Sequence, residues 1–129
     1  MEPIWLKNYP KGVRHNLEFD KYTSIIDVFE ESIQKFSSSI AFTNFKSDLT
    51  YKNLDTLSRN FAGYLQGHLG LKKGDRLAIQ MPNLLQFPVV LFGALRAGLI
   101  VTNINPLYTE REMEHQLKDS GAETIVIVA

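Results

Sequence analysis

The chain has 129 residues, 44% of them hydrophobic and 22% charged, which is enough for one soluble domain with a real core. Fourteen basic and fourteen acidic groups cancel, so no overall field draws in nucleic acid or an anionic membrane. There is no cysteine, which rules out a disulfide scaffold and a thiolate metal site.

Residues 1–22 read as an extended, irregular arm, with Pro3, Pro10 and Gly12 and no sustained period. Lys7, Lys11 and Arg14 are not followed by the apolar core of a secretory signal. Trp5, Leu6 and Tyr9 give the arm an apolar side. The simpler reading packs that side over the chain's own domain; the sharper one makes it a subunit or membrane contact. A first helix opens at Ser24-Ile25-Ile26-Asp27, a capping-box pattern, and continues with Ile25, Phe29, Ile33 and Phe36 at helical spacing until Ser37-Ser38-Ser39. A strand over 40–45, a turn at Lys46-Ser47-Asp48 and a short strand over 49–51 predict a hairpin. A second helix follows, its apolar stripe formed by Leu54, Leu57, Phe61, Leu65 and Leu69, with Gly70 near its end.

Three β-type runs come next, over 76–81, 99–104 and 124–128, each preceded closely by Gly74, Gly98 or Gly121. Between them lie helical segments over 84–97 and 110–120, the latter opened by Thr109-Glu110-Arg111-Glu112, a second capping box. The order predicts an α/β fold: a βαβαβ parallel-sheet unit preceded by the arm, a helix, a β-hairpin and a second helix. Leu77-Ala78-Ile79 and Ile125-Val126-Ile127-Val128 do not alternate with polar residues, as in strands covered on both faces. The crossover helix over 84–97 is apolar nearly all round and must also be covered on more than one side; Pro88 is tolerable only near its start. The uncharged stretch from Leu77 to Leu95 is broken by Gln80, Pro82, Asn83, Gln86 and Pro88, and reads as core rather than a membrane span. An apolar strand as the last element leaves faces and an edge in need of a neighbour, which predicts a truncated domain, 23–129, that self-associates.

The search for chemistry is mostly negative. His15, His68 and His115 are isolated and show no ligand spacing. Gly93 and Gly98 have the spacing of the start of a P-loop, but Leu99 and Ile100 stand where Lys and Ser or Thr belong. Glu30, Glu31, Glu110, Glu112 and Glu114 read as solvated helix faces rather than acid–base catalysts. Open parallel sheets bind ligands beyond the carboxyl ends of their strands, where Pro82-Asn83 and the loop Asn103 to Thr109 fall. The second loop could line a small-molecule channel; by the residues alone, a plain turn at Asn105-Pro106 and a cap at Thr109 is the stronger reading.

A family resemblance rests on collinear blocks. Leu71-Lys72-Lys73-Gly74-Asp75-Arg76 with Met81-Pro82-Asn83 resembles the "KGDRV…MPN" signature of AMP-forming acyl-CoA synthetases, and Gly93-Ala94-Leu95-Arg96-Ala97-Gly98 their "GxLRAG". Asn105-Pro106-Leu107-Tyr108-Thr109-Glu110-Arg111-Glu112, His115-Gln116-Leu117 and Asp119-Ser120-Gly121-Ala122 are similar to the bacterial long-chain fatty-acid–CoA ligases, as are Trp5-Leu6 and Tyr9-Pro10. The resemblance implies a two-step ligation with ATP, Mg2+ and CoA. A fatty carboxylate attacks ATP to give an acyl-adenylate and pyrophosphate, and the CoA thiol then displaces AMP to give the acyl-CoA. It places this chain at the start of the large N-terminal ligase domain, with the remainder of the ligase as partner. The phosphate loop, nucleotide-binding blocks and catalytic lysine of the family have no counterpart here, so no catalytic or metal-binding residue is assigned and no cofactor is expected to bind the 129 residues alone. Asn105, Pro106, Leu107 and Tyr108 are expected to form a wall of the CoA and acyl channel. The remaining expectations are a cytoplasmic location, with the arm able to touch the inner face of the membrane, and association into a homo-oligomer. The competing expectation is a self-sufficient small α/β binding or interaction module without catalysis.

Overall fold

A computed structural model describes residues 3–14, 16 and 21–128; the remainder of the 1–22 arm, with His15, lies outside the described residues. Within the arm, Ile4–Asn8 form one 3-10 turn with no buried residue. Of its apolar side, Leu6 is half-buried while Trp5 and Tyr9 are exposed.

Helix α1, Ile25–Phe36, starts as its capping box dictates: Ser24 Oγ accepts from the Asp27 amide at 3.1 Å, and Asp27 Oδ2 accepts from the Ser24 amide at 3.1 Å. Phe29 and Ile33 are buried, but Ile25 and Phe36 are exposed. The helix is anchored through its middle, where the Phe29 ring stacks on Phe92 with centroids 3.8 Å apart. Strands β1, Ile40–Asn44, and β2, Ser47–Thr50, form the expected antiparallel hairpin. The turn comes earlier than the sequence suggests, since Asn44 pairs with Ser47 and Phe45 takes the left-handed conformation with φ 52°.

Helix α2, Tyr51–Gly67, buries Leu54, Ser58, Ala62 and Leu65, while Leu57 and Leu69 of the expected stripe are exposed. The correction has a steric cause. Helix α3, Gln86–Arg96, crosses α2 so closely that a Cβ on Gly93 would lie 2.8 Å from Phe61 Cδ1 and 3.0 Å from the Ser58 carbonyl oxygen. Gly93 lets the α3 backbone approach Phe61 and the Ser58 carbonyl, so close backbone approach adds Ser58 to the face that Leu54 and Leu65 bury. Pro88 sits in the first turn of α3, where its missing amide is tolerated.

Strands β3, Arg76–Gln80, β4, Ile100–Asn103, and β5, Thr124–Ile127, form a parallel sheet in the order β4-β3-β5, with α4, Glu110–Ser120, connecting β4 to β5. The register sets Ala78 beside Thr102 and Ile125, and Ile79 beside Asn103 and Val126. On one face Leu77, Ile79, Val101 and Val126 join Ala62 and Leu65 of α2 and Val90 and Ala94 of α3 in the main core. On the other face the Arg76 guanidinium donates to the Ser120 carbonyl at 2.6 Å, tying the end of α4 to the sheet. The central strand is covered on both faces, as expected: Leu77, Ala78 and Ile79 are all buried. Strand β5 is not, because Ile125 and Ile127 are exposed.

Glu112 in the capping box of α4 and Asp27 in that of α1 titrate below the ordinary carboxyl values of 4.5 and 3.8. The Thr109 amide and hydroxyl donate to Glu112, and the Thr23 hydroxyl and amide donate to Asp27. Because the folded values are depressed, both carboxylates stabilise fully above their ordinary values. That contribution is lost as pH falls through the lowered ones. The double variant Asp27→Asn, Glu112→Gln is therefore expected to melt below the parent at neutral pH. The gap should close in acid; a gap independent of pH in thermal scans would contradict the assignment.

Candidate functional site

The carboxyl ends of β3 and β4 bring two loops together. The Gln80 side-chain amide donates to the Asn105 carbonyl at 3.4 Å, and the Ile104 amide donates to the Ile79 carbonyl at 2.9 Å. The Gln116 amide of α4 donates to the Asn103 carbonyl at 3.4 Å, and its Oε1 is buried with no partner among the described residues. From the hairpin, Asn44 Nδ2 donates to the Asn83 carbonyl at 2.5 Å, closing a cleft of about 310 Å³ lined by Phe42, Asn44, Asn83, Leu84, Phe87 and Pro88.

The four residues expected to form a channel wall lie in the loop after β4. Asn105 Oδ1 accepts from the Leu107 amide at 3.0 Å, and the Tyr108 amide donates to the Asn105 carbonyl at 3.1 Å, which makes Asn105-Pro106 a side-chain-stabilised turn. Leu107 projects at the tip, 88% exposed. Tyr108 lies lower and borders a second cleft of about 320 Å³ with Glu112, His115, Gln116 and Asp119. Thr109 caps α4, so the turn-and-cap reading of this loop holds for its hydrogen bonds. A further cleft, lined by Leu71, Gly74, Arg76, Gly121 and Thr124, opens at the amino ends of the strands. That is the opposite side from the one where open parallel sheets hold ligands.

Two glutamates that read as solvated in the sequence are paired in the structure. Glu30 Oε1 receives the buried Arg96 guanidinium at 2.7 Å, and its Oε2 receives Arg59 at 2.8 Å. Glu31 pairs with Lys21 at 3.1 Å. Asp55 completes the first cluster, accepting from Arg96 at 2.6 Å and from Arg59 at 2.8 Å. The only sequence signal is an arginine inside an otherwise apolar helix, which once buried demands a partner. His68 stacks on Tyr64 with ring centroids 5.0 Å apart. Among the described residues no three His, Asp or Glu side chains are grouped to hold a metal ion, and no helix is long and apolar enough to cross a membrane.

Residues 29–129 match the sequence pattern of the AMP-binding enzyme family. The chain belongs to that family. Over all 129 residues it is 55% identical to an Escherichia coli O6:H1 protein named long-chain-fatty-acid–CoA ligase, covering 100% of this chain and 23% of that one. A protein of the same name from Bacillus subtilis is 36% identical over 122 residues, 95% of this chain and 21% of its own. The chain thus spans about a quarter of the length of these relatives and matches their N-terminal part. Among solved structures, the N-terminal subdomain of Klebsiella oxytoca NpsA superposes with a TM-score of 0.77 at 24% identity, covering 81% of this chain and 27% of that one. That likeness establishes the fold: the βαβαβ unit and the elements before it are arranged as in that N-terminal subdomain.

Proposed function

We propose that this chain is the N-terminal scaffold portion of an ATP-dependent long-chain fatty acid–CoA ligase, consisting of the arm 1–22 and part of the large ligase domain, 23–129. The 55% identity along the entire chain carries the proposal, because it spans arm, hairpin and sheet without a break in alignment coverage. The complete enzyme would join a long-chain fatty acid to CoA with ATP and Mg2+, in the cytoplasm. Asn105, Pro106, Leu107 and Tyr108 would border the CoA and acyl side, Tyr108 with its phenol and Leu107 with its exposed apolar tip.

The residues present do not fit the ATP phosphates or Mg2+. An anion site at a helix start needs free amides and no competing carboxylate. At α4 the Glu112 carboxylate already occupies the amide and hydroxyl of Thr109. At α3 the first turn is preceded by Leu84 and Leu85 and contains Pro88. No step of the reaction is therefore assigned to this chain's side chains; its part is to shape and support. Exposed Ile125 and Ile127 on β5 would be packed by the rest of the ligase, or by a second copy when the chain is alone.

Two polypeptides test the reading. The purified 129 residues should show no ATP–pyrophosphate exchange with palmitate. Joined to the remaining segment of the Escherichia coli relative, they should form acyl-CoA. A folded chimera that makes no acyl-CoA, or exchange by the short chain above a blank, would overturn it.

A further inference from the structure

The loop that carries Asn105 to Tyr108 is held by two glutamines from different elements. Gln80 ends the central strand β3, and its Nε2 donates to the Asn105 carbonyl at 3.4 Å. Gln116 lies on α4, and its Nε2 donates to the Asn103 carbonyl at 3.4 Å. Between these two carbonyls the Ile104 amide donates to the Ile79 carbonyl at 2.9 Å, and the Ile104 side chain is buried. Residues 103–105 are thus fixed at successive positions to the helix, to the strand backbone and to the last side chain of the strand. The hold extends outward, because the Asn105 carbonyl also accepts from the Tyr108 amide, and Asn105 Oδ1 from the Leu107 amide. No residue of α4 is fully buried, yet Gln116 Oε1 is shielded from solvent without a hydrogen-bond partner among the described residues. A glutamine turned outward would satisfy both ends in water, so the inward placement gives up one hydrogen bond to make the other. All of these contacts lie within the chain and depend on no neighbour.

We infer that Gln80 and Gln116 are positioning residues, which set the backbone of this loop and through it the places of Leu107 and Tyr108. The inference rests on the ligase reading, in which the loop borders the CoA and acyl side. Glutamine suits the task chemically. A carboxamide donates a directed hydrogen bond to a carbonyl without bringing a charge. A lysine or arginine at either position would set a full positive charge beside the loop, and a leucine would leave the carbonyl without that donor. The amino end of the sheet shows the contrast, since there a guanidinium, that of Arg76, makes the contact to the Ser120 carbonyl. A wall that faces a long apolar chain gains from the uncharged version, because an unpaired cation is costly to bury. Each glutamine acts through the loop rather than by touching substrate.

Two readouts separate the clamp from its consequence. In the 129-residue chain, the double variant Gln80→Leu, Gln116→Leu should speed hydrogen exchange at the Leu107 and Tyr108 amides by about tenfold. Amides paired between β3 and its neighbours β4 and β5 should keep their rates. Gln116→Glu keeps the shape of the side chain but has no donor while ionised, so it should speed the same two amides. In the chimera with the Escherichia coli segment, the double variant should raise the KM for CoA or for palmitate about tenfold, with kcat and the KM for ATP within about twofold of the parent. Unchanged exchange at Leu107 and Tyr108 would overturn the inference. So would faster exchange throughout the sheet, which would assign both glutamines to general stability. An active parent chimera beside a double variant with the same KM values would overturn the inference alone. A parent chimera that forms no acyl-CoA would overturn the ligase reading and the inference with it.

Discussion

Arg96→Ala is expected to lower the unfolding free energy by about 2–3 kcal/mol, read as a shift of the urea midpoint at neutral pH with an unchanged slope. The Arg96 side chain is 7% exposed and lies where α1, α2 and α3 meet. Its guanidinium bridges Glu30 and Asp55, donates to the Asp55 backbone carbonyl at 3.2 Å, and sits 4.9 Å from the centre of the Phe29 ring. Deleting it leaves two carboxylates facing each other with only the half-exposed Arg59 between them. Removing one partner of a fully buried pair costs about 3–5 kcal/mol, and the partial exposure of both carboxylates, 32% and 25%, places this case lower. Arg96→Lys keeps a charge but cannot span both carboxylates with one planar fork, so it should recover only part of the loss. A midpoint for Arg96→Ala within error of the parent would remove this network from the account of stability.

The second expected result is a reversal of sign between two glycines given the same substitution. Gly63→Ala in α2 should stabilise by up to about 1 kcal/mol, since a Cβ there meets nothing within 4 Å and alanine is the better helix former. Gly93→Ala in α3 should destabilise by about 1–2 kcal/mol in spite of the same propensity gain, because its Cβ would press on Phe61 and on the Ser58 carbonyl. Phe61 can rotate away, but the Ser58 oxygen belongs to a helix backbone and moves only with the helix. Chemical denaturation of both variants beside the parent decides it. If both glycines respond alike, the close α2–α3 crossing is not what keeps residue 93 small.

These two sites also mark where sequence pattern stops being informative. The strand–helix alternation, the two capping boxes and the central, uniformly apolar β3 are all legible, because each rests on local periodicity or on side-chain-to-backbone chemistry within three residues. The buried face of α2 is only partly so. Hydrophobicity points correctly to Leu54 and Leu65 but also to Leu57 and Leu69, which are exposed, while the fold buries Ala62 and Ser58, whose carbonyl meets Gly93. Only the partner helix reveals that. Glu30 misleads for a related reason, since a carboxylate on an amphipathic helix looks solvated until an arginine 66 positions away reaches it. At the candidate site the turn at Asn105 and the cap at Thr109 follow from local chemistry. The contacts from Gln80, Asn44 and Gln116 are long-range and leave no local trace. The β-hairpin turns earlier than expected because Phe45, an unusual residue for a left-handed turn position, carries no turn signal.

The proposed role as the opening part of a larger ligase requires the remaining part to cover the outer face of β5. Ile127→Lys tests it most directly, since Ile127 is 57% exposed in the chain alone. The substitution should leave the melting of the 129-residue chain nearly unchanged, as exposed substitutions do, within about 0.5 kcal/mol. The same change in the chimera with the Escherichia coli segment should lower its melting temperature and its acyl-CoA formation together, by burying an unpaired ammonium. A chimera that tolerates Ile127→Lys as well as the short chain does would contradict the claim.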